Sequence, residues 1–85
     1  LDLNDDQRSR VRQIMESHRD EQRALAERAR VAHEALREAS ETGTFDESAV
    51  RARAAAVAEV QADLAVAQAR IFSEVYQILT PDQQA

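Results

Sequence analysis

Apolar residues recur along this chain at alternating spacings of three and four, the period of an α-helix that buries one side. A first helix starts at Asp5 and runs through Val11, Ile14 and Met15. No Pro or Gly forces a stop beyond it, and a kink or short break is expected near Ser17 to Asp20. The pattern then continues as one narrow stripe, Leu25, Ala29, Ala32, Leu36 and Ala39, to about Glu41. Thr42-Gly43-Thr44 interrupts it, and Gly43 suits the left-handed C′ position that ends a helix. Asp46 can cap the next helix, with Phe45 and Val50 placed as a hydrophobic staple. That helix is predicted from Glu47 to Ile78, about 48 Å long. Along it Val50, Ala54, Val57, Gln61, Leu64, Gln68, Ile71, Val75 and Ile78 fall on heptad spacing. The pattern predicts an all-α fold, two long antiparallel helices joined by a short turn with a coiled-coil-like seam. Val60, Val66, Ala67, Phe72 and Tyr76 lie off the stripe, and their exposure calls for a second subunit or a bound client.

The two ends of the chain carry one phrase in near-copy: Leu3-Asn4-Asp5-Asp6-Gln7 and Leu79-Thr80-Pro81-Asp82-Gln83. Each reads as a capping box. Asn4 or Thr80 accepts an orphan N–H of the first turn, and Gln7 or Gln83 at N3 reaches back to the cap residue. Pro81 falls at N1, where its missing donor is harmless, and Asp6 or Asp82 complements the positive end of the dipole. Short helices are therefore expected to flank the hairpin.

The Leu-Thr-x-x-Gln phrase and its Asn-for-Thr version resemble the paired signature of the Spy and CpxP group of periplasmic stress proteins, the LTxxQ-motif family. Val11 to Asp20, the Thr44-Phe45-Asp46 junction and the stretch from Ile71 to Gln83 are similar to that group as well, so the resemblance covers nearly the whole chain. It implies that two hairpins pair antiparallel into a thin, curved, cradle-like homodimer. It also implies a periplasmic address, with any signal peptide already removed, and a further helix after the second signature that is truncated or disordered here. The activity it implies is ATP-independent capture of unfolded or partly folded clients under envelope stress. Other activities in the group are metal binding and restraint of an envelope-stress sensor kinase.

Size sharpens the need for a partner. With 85 residues and 9.5 kDa the chain is one domain, 1–85, too short to bury much of its surface alone. Aromatics at 4%, one Gly and one Pro leave little room for β architecture. All 11 basic residues are Arg, and the net charge is −5. That balance argues against nucleic acid as a partner, because a phosphate-backbone binder needs a positive footprint. No cysteine offers a disulfide or thiol site, and no stretch approaches the roughly 20 apolar residues of a membrane span.

Candidate chemistry is sparse. One Gly cannot build a phosphate loop, no nucleophile–base set is evident, and the carboxylates scatter over helix faces, so the reading is not an enzyme and needs no cofactor. Zinc, nickel or copper would have to use Met15, His18 and His33. Met15 and His18 share a helix face with Glu21 or Gln22 one turn on, whereas His33 lies about 22 Å further along a straight helix. The alternative is a seam histidine at 18 and a surface histidine at 33. Gln22, Gln61 and Gln68 either set helix register or face a client surface, and Phe72 and Tyr76 pack on the N-terminal segment, a dimer partner or a client. Arg8, Arg10, Arg12, Arg19 and Arg23 crowd the first third, of which Arg12, Arg19 and Arg23 can form a basic strip. The client or dimer face is therefore sought among Arg12, Arg19, Gln22, Arg23, Gln61, Leu64, Gln68 and Phe72.

Overall fold

A computed structural model describes residues 2–85. Three helices follow in order, α1 (Asp5–Ser40), α2 (Glu47–Gln77) and α3 (Pro81–Gln84), with no strand among the described residues. Helices α1 and α2 run antiparallel as an extended hairpin measuring 58 × 24 × 15 Å. The smallest dimension is little more than one helix thick, so the molecule is a slab with two broad faces and two outer edges.

The seam explains why α1 does not break. From Gln7 through Val11, Ile14, His18, Gln22, Leu25, Ala29, Ala32, Leu36 and Ala39, its covered positions step by four and three, except for one 4-4-3 passage from Ile14 to Leu25. Such an eleven-residue step matches the period of an unstrained α-helix, so the stripe changes phase without bending the backbone. Helix α2 makes the matching 4-4-3 passage at Ala67, Ile71, Val75 and Ile78, on the same level of the hairpin. The kink expected at Ser17 to Asp20 is therefore absent: α1 is continuous over 36 residues, and Ser17 Oγ donates to Ile14 O at 2.7 Å within the helix.

Helix α2 differs from its expected phase as well. Val60 and Ala67, read as off-stripe residues, are 1% and 2% exposed and form the core with Leu25, whereas Ala54, Gln61 and Gln68 are exposed. A heptad can step from Val57 by three or by four, and both lead back to Leu64. The apolar choice, Val60 over Gln61, buries more hydrocarbon without stranding an amide.

At the turn, Asp46 caps α2 as expected, its side chain accepting from Ala49 N–H at 3.1 Å. Two details are corrected. Helix α1 ends at Glu41, whose N–H donates to Arg37 O, and Gly43 does not take a positive φ, so no left-handed cap closes the helix. Phe45 remains 78% exposed, so a staple with Val50 does not cover its ring.

Candidate binding face

Cross-helix contacts fix which side chains share each face of the slab. Arg28 pairs with Asp63 at 2.9 Å and Glu21 with Arg70 at 3.8 Å, which places Glu21, Ala24 and Arg28 of α1 beside Asp63, Val66 and Arg70 of α2. We call this the ion-pair face. On the opposite side His33 Nε2 lies 3.4 Å from Gln61 Nε2. Helical periodicity then sets Arg12, Met15, Arg19, Gln22 and Ala26 on that side of α1 and Gln61, Ala65, Gln68 and Phe72 on that side of α2.

This second face collects the residues singled out from sequence, with two exceptions. Arg12, Met15, Glu16, Arg19 and Gln22 line a shallow open groove of about 340 Å³. Arg12, Arg19 and Arg23 enter no ion pair among the described residues, and Glu16 is the acidic residue among those lining the groove. Met15 is 50% and Phe72 68% exposed, and Phe72 stacks on Tyr76 with ring centroids 6.1 Å apart. Phe72 is thus not packed against the N-terminal segment. The exceptions are Arg23, which helical periodicity turns to the outer edge of α1, and Leu64, which faces the seam between Val60 and Ala67. Gln22 stands at the boundary: its Nε2 is buried and has no hydrogen-bond acceptor in the protein.

Both signatures form their capping boxes, and they do more than cap. Gln7 Oε1 accepts from Asn4 N–H at 3.0 Å while Gln7 Nε2 donates to Gln83 Oε1 at 2.7 Å and to Ile78 O at 3.2 Å. Gln83 Oε1 also accepts from Thr80 N–H at 2.9 Å, and Gln83 Nε2 donates to Asp2 O and to Gln7 Oε1. The two glutamines therefore hold each other across the open end of the hairpin. Gln7 is only 6% exposed, and this exchange satisfies its amide in a place where an unpaired donor would be costly. Leu3 and Leu79, before each cap, are half-buried beside the clasp, and Pro81 opens α3 as expected. Sequence reasoning treated each glutamine as local. The available signal was topological, since an antiparallel hairpin brings the two ends of its chain together.

The metal candidates do not converge. His18 lies in the seam, its Nε2 against the Glu74 carboxylate of α2 and its Nδ1 3.6 Å from Glu21. The two carboxylates address opposite ring nitrogens, so they flank the imidazole instead of pointing at one centre. Met15 is on the exposed groove, and His33 is on the surface beside Gln61. Among the described residues no group of three or more His, Asp or Glu is placed to hold a metal ion.

Along the outer edge of α1, Arg30 bridges Glu27 at 2.7 Å and Glu34 at 2.9 Å. The Arg30 hydrogen bond, reinforced by its charge, holds the Glu27 carboxyl below the usual carboxylate range, and Glu27 raises Arg30 in return.

An elongated helical hairpin with the N3 glutamines of two capping boxes clasped at its open end, and a broad face carrying arginines and amides, defines the structural class. Compared with known proteins, the sequence matches the family described as "LTXXQ motif family protein" over residues 1–85. It is 34% identical over 86 aligned positions to periplasmic protein CpxP of Escherichia coli strain K12, an alignment covering all of this chain and 49% of the relative. The CpxP of Escherichia coli O6:H1 gives the same identity and coverage. The chain belongs to the LTXXQ motif family, and its resemblance to the Spy and CpxP group is borne out. It spans about half the length of these curated relatives. No solved structure gives a significant match. No helix of the described residues is long and apolar enough to cross a membrane.

Proposed function

We propose that this protein is an ATP-independent periplasmic chaperone that holds partly unfolded clients weakly and reversibly on its arginine and amide face, working as a homodimer. The observation that supports the reading best is the makeup of that face. Arg12 and Arg19, which enter no ion pair among the described residues, flank the exposed apolar groups Met15 and Phe72, with the amides of Gln61 and Gln68 beside them. Guanidinium groups draw in acidic segments at long range, and separated apolar side chains add short-range affinity without one large adhesive patch. Amides pair with backbone donors or acceptors of any sequence, which suits varied clients. The periplasmic address rests on the similarity to CpxP.

The test is light scattering of a chemically denatured acidic model protein diluted into ATP-free buffer. Suppression of aggregation at an equimolar ratio, unchanged by chelator and weakened by Arg12→Glu with Arg19→Glu, is the expected result. No suppression under any condition overturns the reading and favours an adaptor that restrains an envelope-stress sensor kinase, for which a pull-down should recover one stoichiometric membrane partner. Suppression only with added zinc instead assigns the role to a metal-loaded form.

A further inference from the structure

The groove beside Arg12 and Arg19 holds the one sulfur atom of the chain. Met15 is the single methionine and no cysteine is present, so a two-electron oxidant meets one thioether with no thiol to compete for it. That thioether is open to the reagent. Met15 is 50% exposed, lies off the seam that Val11, Ile14 and His18 form, and lines the open groove of about 340 Å³. Arg12 stands three residues before it and Arg19 four after, both on the same side of α1 and both outside any ion pair among the described residues.

We propose that Met15 is a reversible oxidation site that sets the affinity of this face for clients. The inference rests on the proposed chaperone function and adds a regulatory site to it. A lone pair of Met15 Sδ attacks one oxygen of hydrogen peroxide. The S–O bond forms, the O–O bond breaks, and the departing hydroxide takes the proton of the transferred oxygen and leaves as water. The sulfur is oxidised by two electrons to the sulfoxide, and the peroxide is reduced. A dithiol reductase reverses the step and forms one disulfide and one water. The product changes the face in two ways. It replaces a flexible apolar group by a polar one, and Met15 is, with Phe72, one of the two apolar groups exposed on the proposed client face. It also brings an acceptor oxygen into a groove whose guanidinium groups have no ion-pair partner. Long helical side chains lean toward the N-terminus of their helix, so Arg19, one turn beyond Met15, is directed toward the sulfur and can donate to that oxygen. Oxidation therefore removes an apolar contact and engages an arginine that is free to meet an acidic client before it. The hairpin is left intact, because Met15 takes no part in the seam.

The test treats the folded protein with a small molar excess of hydrogen peroxide and follows it by peptide mass spectrometry, circular dichroism and the ATP-free aggregation assay. One added oxygen at Met15 is expected, with the helical signal and the melting midpoint unchanged. The oxidised protein should need about threefold to tenfold more chain for the same suppression of aggregation, and a methionine sulfoxide reductase should restore the original dose. Met15→Leu should need the same dose before and after peroxide, whatever that dose is. Sulfoxide that forms only after denaturation, a melt that shifts on oxidation, or equal suppression by the two forms would each overturn the inference and leave the proposed function standing. A protein that holds no client before oxidation would overturn the proposed function and this regulation with it, so the unoxidised control tells the two failures apart.

Discussion

Helix α1 turns Glu16, Arg23, Glu27, Arg30 and Glu34 away from its partner helix, whereas α2 turns Ala55, Ala58, Ala62, Ala65 and Ala69 away from the same seam. The two outer edges therefore have different requirements. The α1 edge pairs its own charges, Arg30 with Glu27 three residues before it and Glu34 four residues after, and is complete in water. The α2 edge offers methyls and two stacked rings with nothing to pair. A helix that is polar on three sides settles its own solvation, and a helix that is apolar on two opposite sides has to be covered twice.

The largest effect should come from putting a charge on the wrong edge. Ala62→Arg places a guanidinium in the middle of this alanine edge, where a partner that covers the edge in the proposed homodimer meets a charge. The dimer should weaken at least about a hundredfold, roughly 3 kcal/mol, in analytical ultracentrifugation. Circular dichroism should keep its helical signal, because Ala62 is exposed in the single hairpin. The paired change on α1, Glu27→Ala, should leave assembly where it was.

The inner stripe of α2 offers the next test. Val60→Ala removes buried methyls and should lower stability by about 2 kcal/mol in urea unfolding. Gln61→Ala should change it by less than about 0.5 kcal/mol, since only an exposed amide beside His33 is lost. A larger loss for Gln61→Ala than for Val60→Ala would mean that the seam takes the four-residue step.

At the open end, Gln7→Ala and Gln83→Ala should each destabilise the hairpin, and a double-mutant cycle should return a coupling of about 1 kcal/mol. Two independent caps would give additive losses. At the turn end the sign reverses. Gly43 has an ordinary negative φ and open space where a Cβ would stand, so Gly43→Ala should stabilise by about 0.5 kcal/mol through the unfolded chain.

These tests divide along the line between what the sequence made legible and what it did not. Helix existence, the turn and both capping boxes followed from spacing and cap chemistry, which are local. The seam's phase did not, because Val60 and Gln61 both satisfy a heptad from Val57, and only the position of α1 decides between them. Continuity past Ser17 was hidden for a similar reason: a phase change in one stripe resembles a break until α2 shows the matching change. The arginine face was half legible, as Arg12, Arg19 and Gln22 share a helix side by counting, but Gln61, Gln68 and Phe72 joined them only once the hairpin set the two helices in register. The Gln7–Gln83 clasp spans the length of the chain, and no local rule contains it.

The smallest effect sharpens the comparison on the α1 edge. Arg30 holds Glu27 ionised further into acid than a free glutamate, so Glu27 should titrate at lower pH than an unpaired side chain when followed by carboxyl NMR. The sign of the linkage follows from that depression: the pair's contribution is fully present above the unfolded glutamate pKa and disappears as pH falls through the lower folded value. Both partners are open to solvent, so added salt should shrink the displacement, and Arg30→Gln should abolish it without measurable change in the melting midpoint. A cooperative melt that shifted with Glu27 protonation would show that the α1 edge is also covered in the assembly, and the contrast between the two edges would fail at the one place where it now rests on charge alone.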